Sequence, residues 1–196
     1  MVVTLIINSA LNIGFPIRYD DQGEPLIYAY HISISPEVLT ANYTILVAAN
    51  AKTWQRGGDF AAASATTANI ALLDAAKAEA ELRGTESLGP SFLAELKRLT
   101  YILSPGDNGY EQLPVDIALG KNVISKDDWS EAEAFLCFFT LGFFALPRAA
   151  RRDRCTRIAS ALNGSTTSLP PLEWLASLRQ STQAKDSIEI LSSEPS

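Results

Sequence analysis

One imidazole, two thiols and a cluster of guanidinium groups are the most reactive side chains in this 196-residue sequence. The imidazole belongs to His31, inside an alternating run, Ile27 to Ile34, that reads as a strand. A lone histidine excludes the zinc constellations that need two or more imidazoles. As a general base it would need a nucleophile and an orienting acid close by, and its sequence neighbours offer neither. A structural role is therefore expected for His31. Cys137 lies in an apolar helix and should behave as a small hydrophobe. Cys155 sits among arginines, which lower a thiol's pKa, but no base adjoins it in sequence. Asp127 and Asp128 are neighbours, so on a helix their carboxylates point about 100° apart and share no proton. Asp107-Asn108-Gly109 lacks the ligand series of a calcium loop. No GxGxxG, GxxxxGK[ST], GxSxG or HExxH pattern occurs. The residues predict no catalytic centre, cofactor, metal or small-molecule substrate.

The arginines are Arg148, Arg151, Arg152, Arg154 and Arg157; with Asp153 they give residues 148–157 a net charge of +4 and leave −10 for the rest. On a helix the first three fall within about 100° of one another while Arg154 and Arg157 point elsewhere. A phosphate-tracking surface would gather them on one face, and the acidic remainder repels a polyanion. Nucleic-acid binding is thus the weaker reading, and salt bridges or compensation of a helix dipole the stronger one.

Composition fits one globular domain, 47% apolar and 19% charged. Two cysteines make no disulfide framework and point to a reducing compartment. The start, MVVTLIIN, lacks the charged region and cleavage pattern of a signal peptide. The longest apolar run, Ala134 to Leu146, covers about 20 Å as a helix, short of the roughly 30 Å of a bilayer core. No membrane span is expected.

The elements that must hold these groups follow from patterning. Val2–Ile7, Phe15–Tyr19 and Leu26–Ile34 read as strands, the third with one buried and one wetter face, and Asp20 to Glu24 as the turn between the last two. Ser35-Pro36-Glu37 starts a helix to Arg56: Ser caps, Pro occupies the first turn, and Glu meets the dipole. Its broad apolar side carries Leu39, Tyr43, Leu46, Val47 and Trp54. Asp59–Arg83 is a second, Ala-rich helix, marked on one side by Ile70, Leu73, Lys77 and Ala80, whose small side chains would let another helix come close. Pro90–Leu103 makes a third, with Phe92, Leu96, Leu99 and Leu103 in a stripe. Ser104 to Gly109 breaks the chain, and Val115–Leu119 forms a short turn of helix. Ser125 then caps the long apolar helix to Leu146, with Asp128 placed for a capping box. Being apolar on every side, this helix must be enclosed on every side. A further helix to about Leu162 and a short one at Leu172–Leu178 complete the body.

The expected architecture is α+β and predominantly α-helical: a small N-terminal antiparallel β-sheet (1–35), a bundle of five to six helices (36–179) and a polar tail (180–196). The tail has only Ile188, Ile190 and Leu191 as apolar material, too little to order itself without a partner.

Residues 93–144 and 166–183 resemble the small tail-assembly proteins of tailed bacteriophages. The run Leu93-Ala94-Glu95-Leu96-Lys97-Arg98-Leu99-Thr100 carries the likeness, followed by Pro105-Gly106, Gly109-Tyr110 and Leu113-Pro114-Val115-Asp116. Asp127-Asp128, Glu131, Glu133 and Phe138-Phe139-Thr140 extend it, as does the ending Thr167-Ser168-Leu169, Trp174 to Leu178 and Ser181-Thr182. The resemblance implies a non-enzymatic structural or assembly protein of the tail. It would bind other tail proteins or itself, in the host cytoplasm during assembly or in the virion. The arginines and Ile188, Ile190 and Leu191 are the candidate contact residues. The alternatives are a small regulatory protein holding nucleic acid through Arg148–Arg157, or an enzyme built on His31 or Cys155.

Overall fold

In a computed structural model the described residues are 6–7, 10–57, 65–106, 109–147, 150–151, 153–154, 157, 165–166 and 173, with backbone alone at 54–57, 65–66 and 165–166. The strands are β1 (Ile6–Ile7), β2 (Ile13–Tyr19), β3 (Pro25–His31), β4 (Thr100–Gly106), β5 (Gly109–Pro114) and β6 (Ser165–Thr166). The helices are α1 (Pro36–Ala41), α2 (Tyr43–Gly57), α3 (Ala65–Arg83), α4 (Gly89–Arg98), α5 (Val115–Gly120) and α6 (Lys126–Phe143).

The expected small N-terminal sheet with a separate helical bundle is overturned. The sheet runs β5-β4-β3-β2-β1-β6: five antiparallel strands, with β6 parallel to β1 at one edge. Two of its strands come from the middle of the chain, so this is a mixed α+β fold in which sheet and helices interleave. The error lies at residues 99–114. The stripe Phe92, Leu96, Leu99 keeps a helical period and Leu103 continues its spacing, but α4 stops at Arg98. From Thr100 the chain is β-branched and aromatic, Thr100-Tyr101-Ile102, and pairs along β3 from His31↔Thr100 to Tyr28↔Leu103. Pro105 is tolerated because it lies beyond that ladder, paired only with Tyr110 of β5.

The hairpin β2–β3 turns on Asp20, whose Oδ1 accepts from the backbone N–H groups of Gln22 and Glu24, both at 2.9 Å. Gly23 takes φ +84° there, a conformation open to glycine. Pro16 pairs with Tyr28 of β3, and the register shifts on either side of Arg18. The expected wetter face of β3 is wet only at the ends of the run, where Leu26 and Ile32 are exposed. Ile27, Ala29 and His31 face the main core, while Tyr28 and Tyr30 are just as buried on the opposite face with Ile6 and Leu103.

α6 lies against the sheet and carries the other helices. The four consecutive residues Leu136, Cys137, Phe138 and Phe139 are all buried. At about 100° per residue they sweep every side of the helix. Phe15 of β2 meets Phe135 with ring centroids 4.5 Å apart, and Asn50 Nδ2 of α2 donates to Leu141 O at 2.6 Å. α3 and α4 pack on it as well. Its start is the expected capping box: Ser125 Oγ accepts from Asp128 N and Asp128 Oδ2 from Ser125 N, at 3.0 and 2.7 Å. Ser35 caps α1 as expected, accepting from Val38 N, but the helix breaks at Asn42, whose side chain and N–H both bond Val38 O.

The outer pair α2 and α3 is rotated from the sequence expectation. Ile45, Leu46, Ala49 and Thr53 face inward, while Tyr43 and Val47 are exposed. On α3 the buried side is Ala68, Ala71, Leu72, Ala75 and Ala76, leaving Ile70 and Leu73 outward. Close approach favours alanine over larger side chains here. The first six residues of the expected helix 59–83, most of the helix to Leu162 and of that at Leu172–Leu178, and the tail 180–196 lie outside the described residues; 150, 151, 153, 154, 157 and 173 are helical.

Two glycines separate close approach from mere sequence. A Cβ at Gly89 would stand 2.9 Å from Ala76 Cβ, where α4 crosses α3, whereas one at Gly142 of α6 would meet nothing within 4 Å. Gly89→Ala should destabilise the fold by about 1–3 kcal/mol through overpacking. Gly142→Ala should stabilise it by about 0.5–1 kcal/mol through helix propensity. Chemical denaturation of both variants checks the contrast.

Candidate functional site

Two of the buried polar side chains, His31 and Thr100, meet at the inner end of β3. His31 is 4% exposed and its Nδ1 lies 2.9 Å from Thr100 Oγ1, across the β3–β4 ladder. Thr100 Oγ1 donates in turn to Leu96 O at 2.7 Å, the last turn of α4. With the hydroxyl proton spent on that carbonyl, Nδ1–H must be the donor to Thr100, so neutral His31 carries its acceptor lone pair on Nε2. Desolvation dominates the ring's titration and lowers its pKa to about 4, against smaller upward effects of the Leu96 carbonyl and of Glu95. At neutral pH the ring is an uncharged hydrogen-bonding strut.

The strut borders a cavity of about 30 Å³ between strands and helix, walled by Ile7, Ile13, Leu136, Phe139 and Phe143, with Ser33 and Thr140 as its other polar groups. That is room for one or two waters. Leu11 closes part of it from a left-handed backbone, φ +63°, held by the Asn12 Oδ1 bond to Ser33 N at 3.0 Å. Leu39 and Phe144 form a shared wall, and beyond them lies a groove of about 370 Å³. Pro36, Tyr43, Leu146, Pro147 and Arg151 complete this groove, with Tyr43 edge-on to Phe144 at 5.8 Å.

Of the arginines expected to make contacts, Arg151 is the one placed in a concave site. It is half-buried, and its Nε donates to Leu146 O at 3.0 Å just beyond the end of α6. Among the described residues no carboxylate forms an ion pair with it. Arg154 and Arg157 are exposed, and Arg148, Arg152, Cys155, Ile188, Ile190 and Leu191 lie outside the described residues. Cys137 is buried and its thiol pKa is pushed up by desolvation, which removes its nucleophilic form. Asp128 is the capping acid and also stands 4.0 Å from Arg18 Nε, while Asp127 is exposed. Among the described residues no three His, Cys, Asp or Glu side chains gather as a metal would need, and no helix is long and apolar enough to cross a membrane.

Nothing in the local pattern points to Thr100 as the partner of His31, because the leucine stripe places position 100 inside a helix. Nor was the groove visible, since its wall joins residues a hundred positions apart. The chain matches no known protein family, no curated protein and no solved structure.

A buried neutral histidine ties stability to acid. Below pH about 6.5 the unfolded chain takes up a proton that the folded one refuses until about pH 4. Stability is therefore full above pH 6.5 and falls as pH drops toward 4, by about 3 kcal/mol for this group. His31→Asn can keep a donor to Thr100 but cannot titrate. The stability gap between parent and variant should shift by that amount in the variant's favour between pH 7 and 4, as read by urea titrations at each pH.

Proposed function

We propose that the chain is a non-enzymatic protein working through protein–protein contacts, as a structural or assembly component of a bacteriophage tail. The observation that supports contact through its helices is the outer layer. Tyr43 and Val47 of α2 are 55% and 43% exposed, and Ile70 and Leu73 of α3 are 50% and 38% exposed. These large apolar side chains stand on helices whose inner faces are locked by Leu46, Ala49, Leu72 and Ala76. A rigid surface offering apolar anchors suits association with another protein. The tail assignment rests on the resemblance of residues 93–144 and 166–183, whose motif positions fall on α4, the β4–β5 hairpin, α5 and α6 in the described part. The partners are other tail proteins or further copies of the chain.

Size-exclusion chromatography with light scattering, on the chain alone and mixed with tail-tube or tape-measure protein, tests the reading. The expected result is a defined oligomer or a mixed complex, weakened by Ile70→Glu without loss of helical signal. A chain that stays monomeric and binds neither component contradicts it.

A further inference from the structure

We propose that the groove beside the end of α6 is the docking site of the chain's own segment Asp186–Leu191, bound in the same molecule. The groove is an apolar trough, walled by Leu39, Tyr43, Phe144 and Leu146, with one cation at its rim. That cation, Arg151, is fixed through Nε, so its terminal nitrogens are held in place without a carboxylate among the described residues. A fitting occupant carries closely spaced apolar side chains and a carboxylate beside them, since a guanidinium binds a carboxylate in a planar, two-pronged geometry.

The sequence holds such a segment. Asp186-Ser187-Ile188-Glu189-Ile190-Leu191 places three large apolar side chains around Glu189, with Asp186 before them, and residues 180–196 carry a net charge of −2. These three are the sole large apolar residues of that stretch. The acidic segment and the basic run Arg148–Arg157 are the complementary charges of the chain's C-terminal third. Reach is ample: from Glu173, the last described residue, the 13 residues to Asp186 can span about 44 Å extended, against a radius of gyration of about 16 Å for a domain of this length. Joined to its site by such a linker, the segment acts at a high effective concentration. Even a weak contact is then occupied.

The full chain with Cys155→Ser and spin labels at Glu37→Cys, beside the groove, and Ala184→Cys, just before the segment, reports the contact by pulsed electron–electron resonance. The expected result is a narrow, short distance distribution. It should broaden in Arg151→Glu and narrow again when Asp186→Lys and Glu189→Lys are added to Arg151→Glu, which shows that charge rather than misfolding was responsible. Ile188→Ser with Ile190→Ser, at unchanged helical signal, should broaden it too. A broad distribution in the parent that none of these changes alters overturns the proposal. So does a short distance that vanishes on dilution with unlabelled chain, which would mean the segment comes from a second copy.

Discussion

Everything in this fold depends on enclosing α6. A helix presenting Leu136, Cys137, Phe138 and Phe139 in succession has no side to give to water, and each large apolar side chain buried contributes about 1.5–3 kcal/mol. The chain meets that demand with two kinds of cover. The strands close one side, with Phe15 against Phe135, and the alanine-lined helices close the others. The polar ends are secured separately: the Ser125–Asp128 box starts the helix, and the Asn50 bond to Leu141 O ties its last turns to α2. Lys97 and Asp116 form an ion pair at the surface between α4 and α5, a contact worth little beside the burial.

The sheet extends beyond the first 35 residues, because β4 and β5 join it on the β3 side. The β3–β4 seam then brings a histidine and a threonine together inside the core. Their hydrogen bonds continue to Leu96 O, so the one buried imidazole links strand, strand and helix. A charge there would be costly, which is why burial holds the ring neutral.

How much of this was visible in the sequence varies with how local the cause is. The Ser35-Pro36 and Ser125–Asp128 starts, the Asp20 turn and the enclosed apolar helix depend on residues within a few positions, and each is found as expected. What depends on distant packing was not legible. The Leu99–Leu103 spacing imitates a helix, and only pairing with β3 makes Thr100–Leu103 a strand. Ile70 and Leu73 look like a core stripe by size, but α3 buries its alanines because α2, α4 and α6 come close. Tyr28 and Tyr30 look like a wet face until Ile6 and Leu103 are placed beside them. The groove, likewise, exists because the end of α6 falls beside α1, and of the candidate contact residues Arg151 alone among those described lines it.

Native-state hydrogen exchange of α6 measures the central constraint most directly. If enclosure of this helix holds the molecule together, the amides of residues 134–141 exchange only through global unfolding, with the same free energy and denaturant dependence as the whole protein. Exchange of these amides through a smaller opening, ahead of those in β3 and β4, would contradict the account.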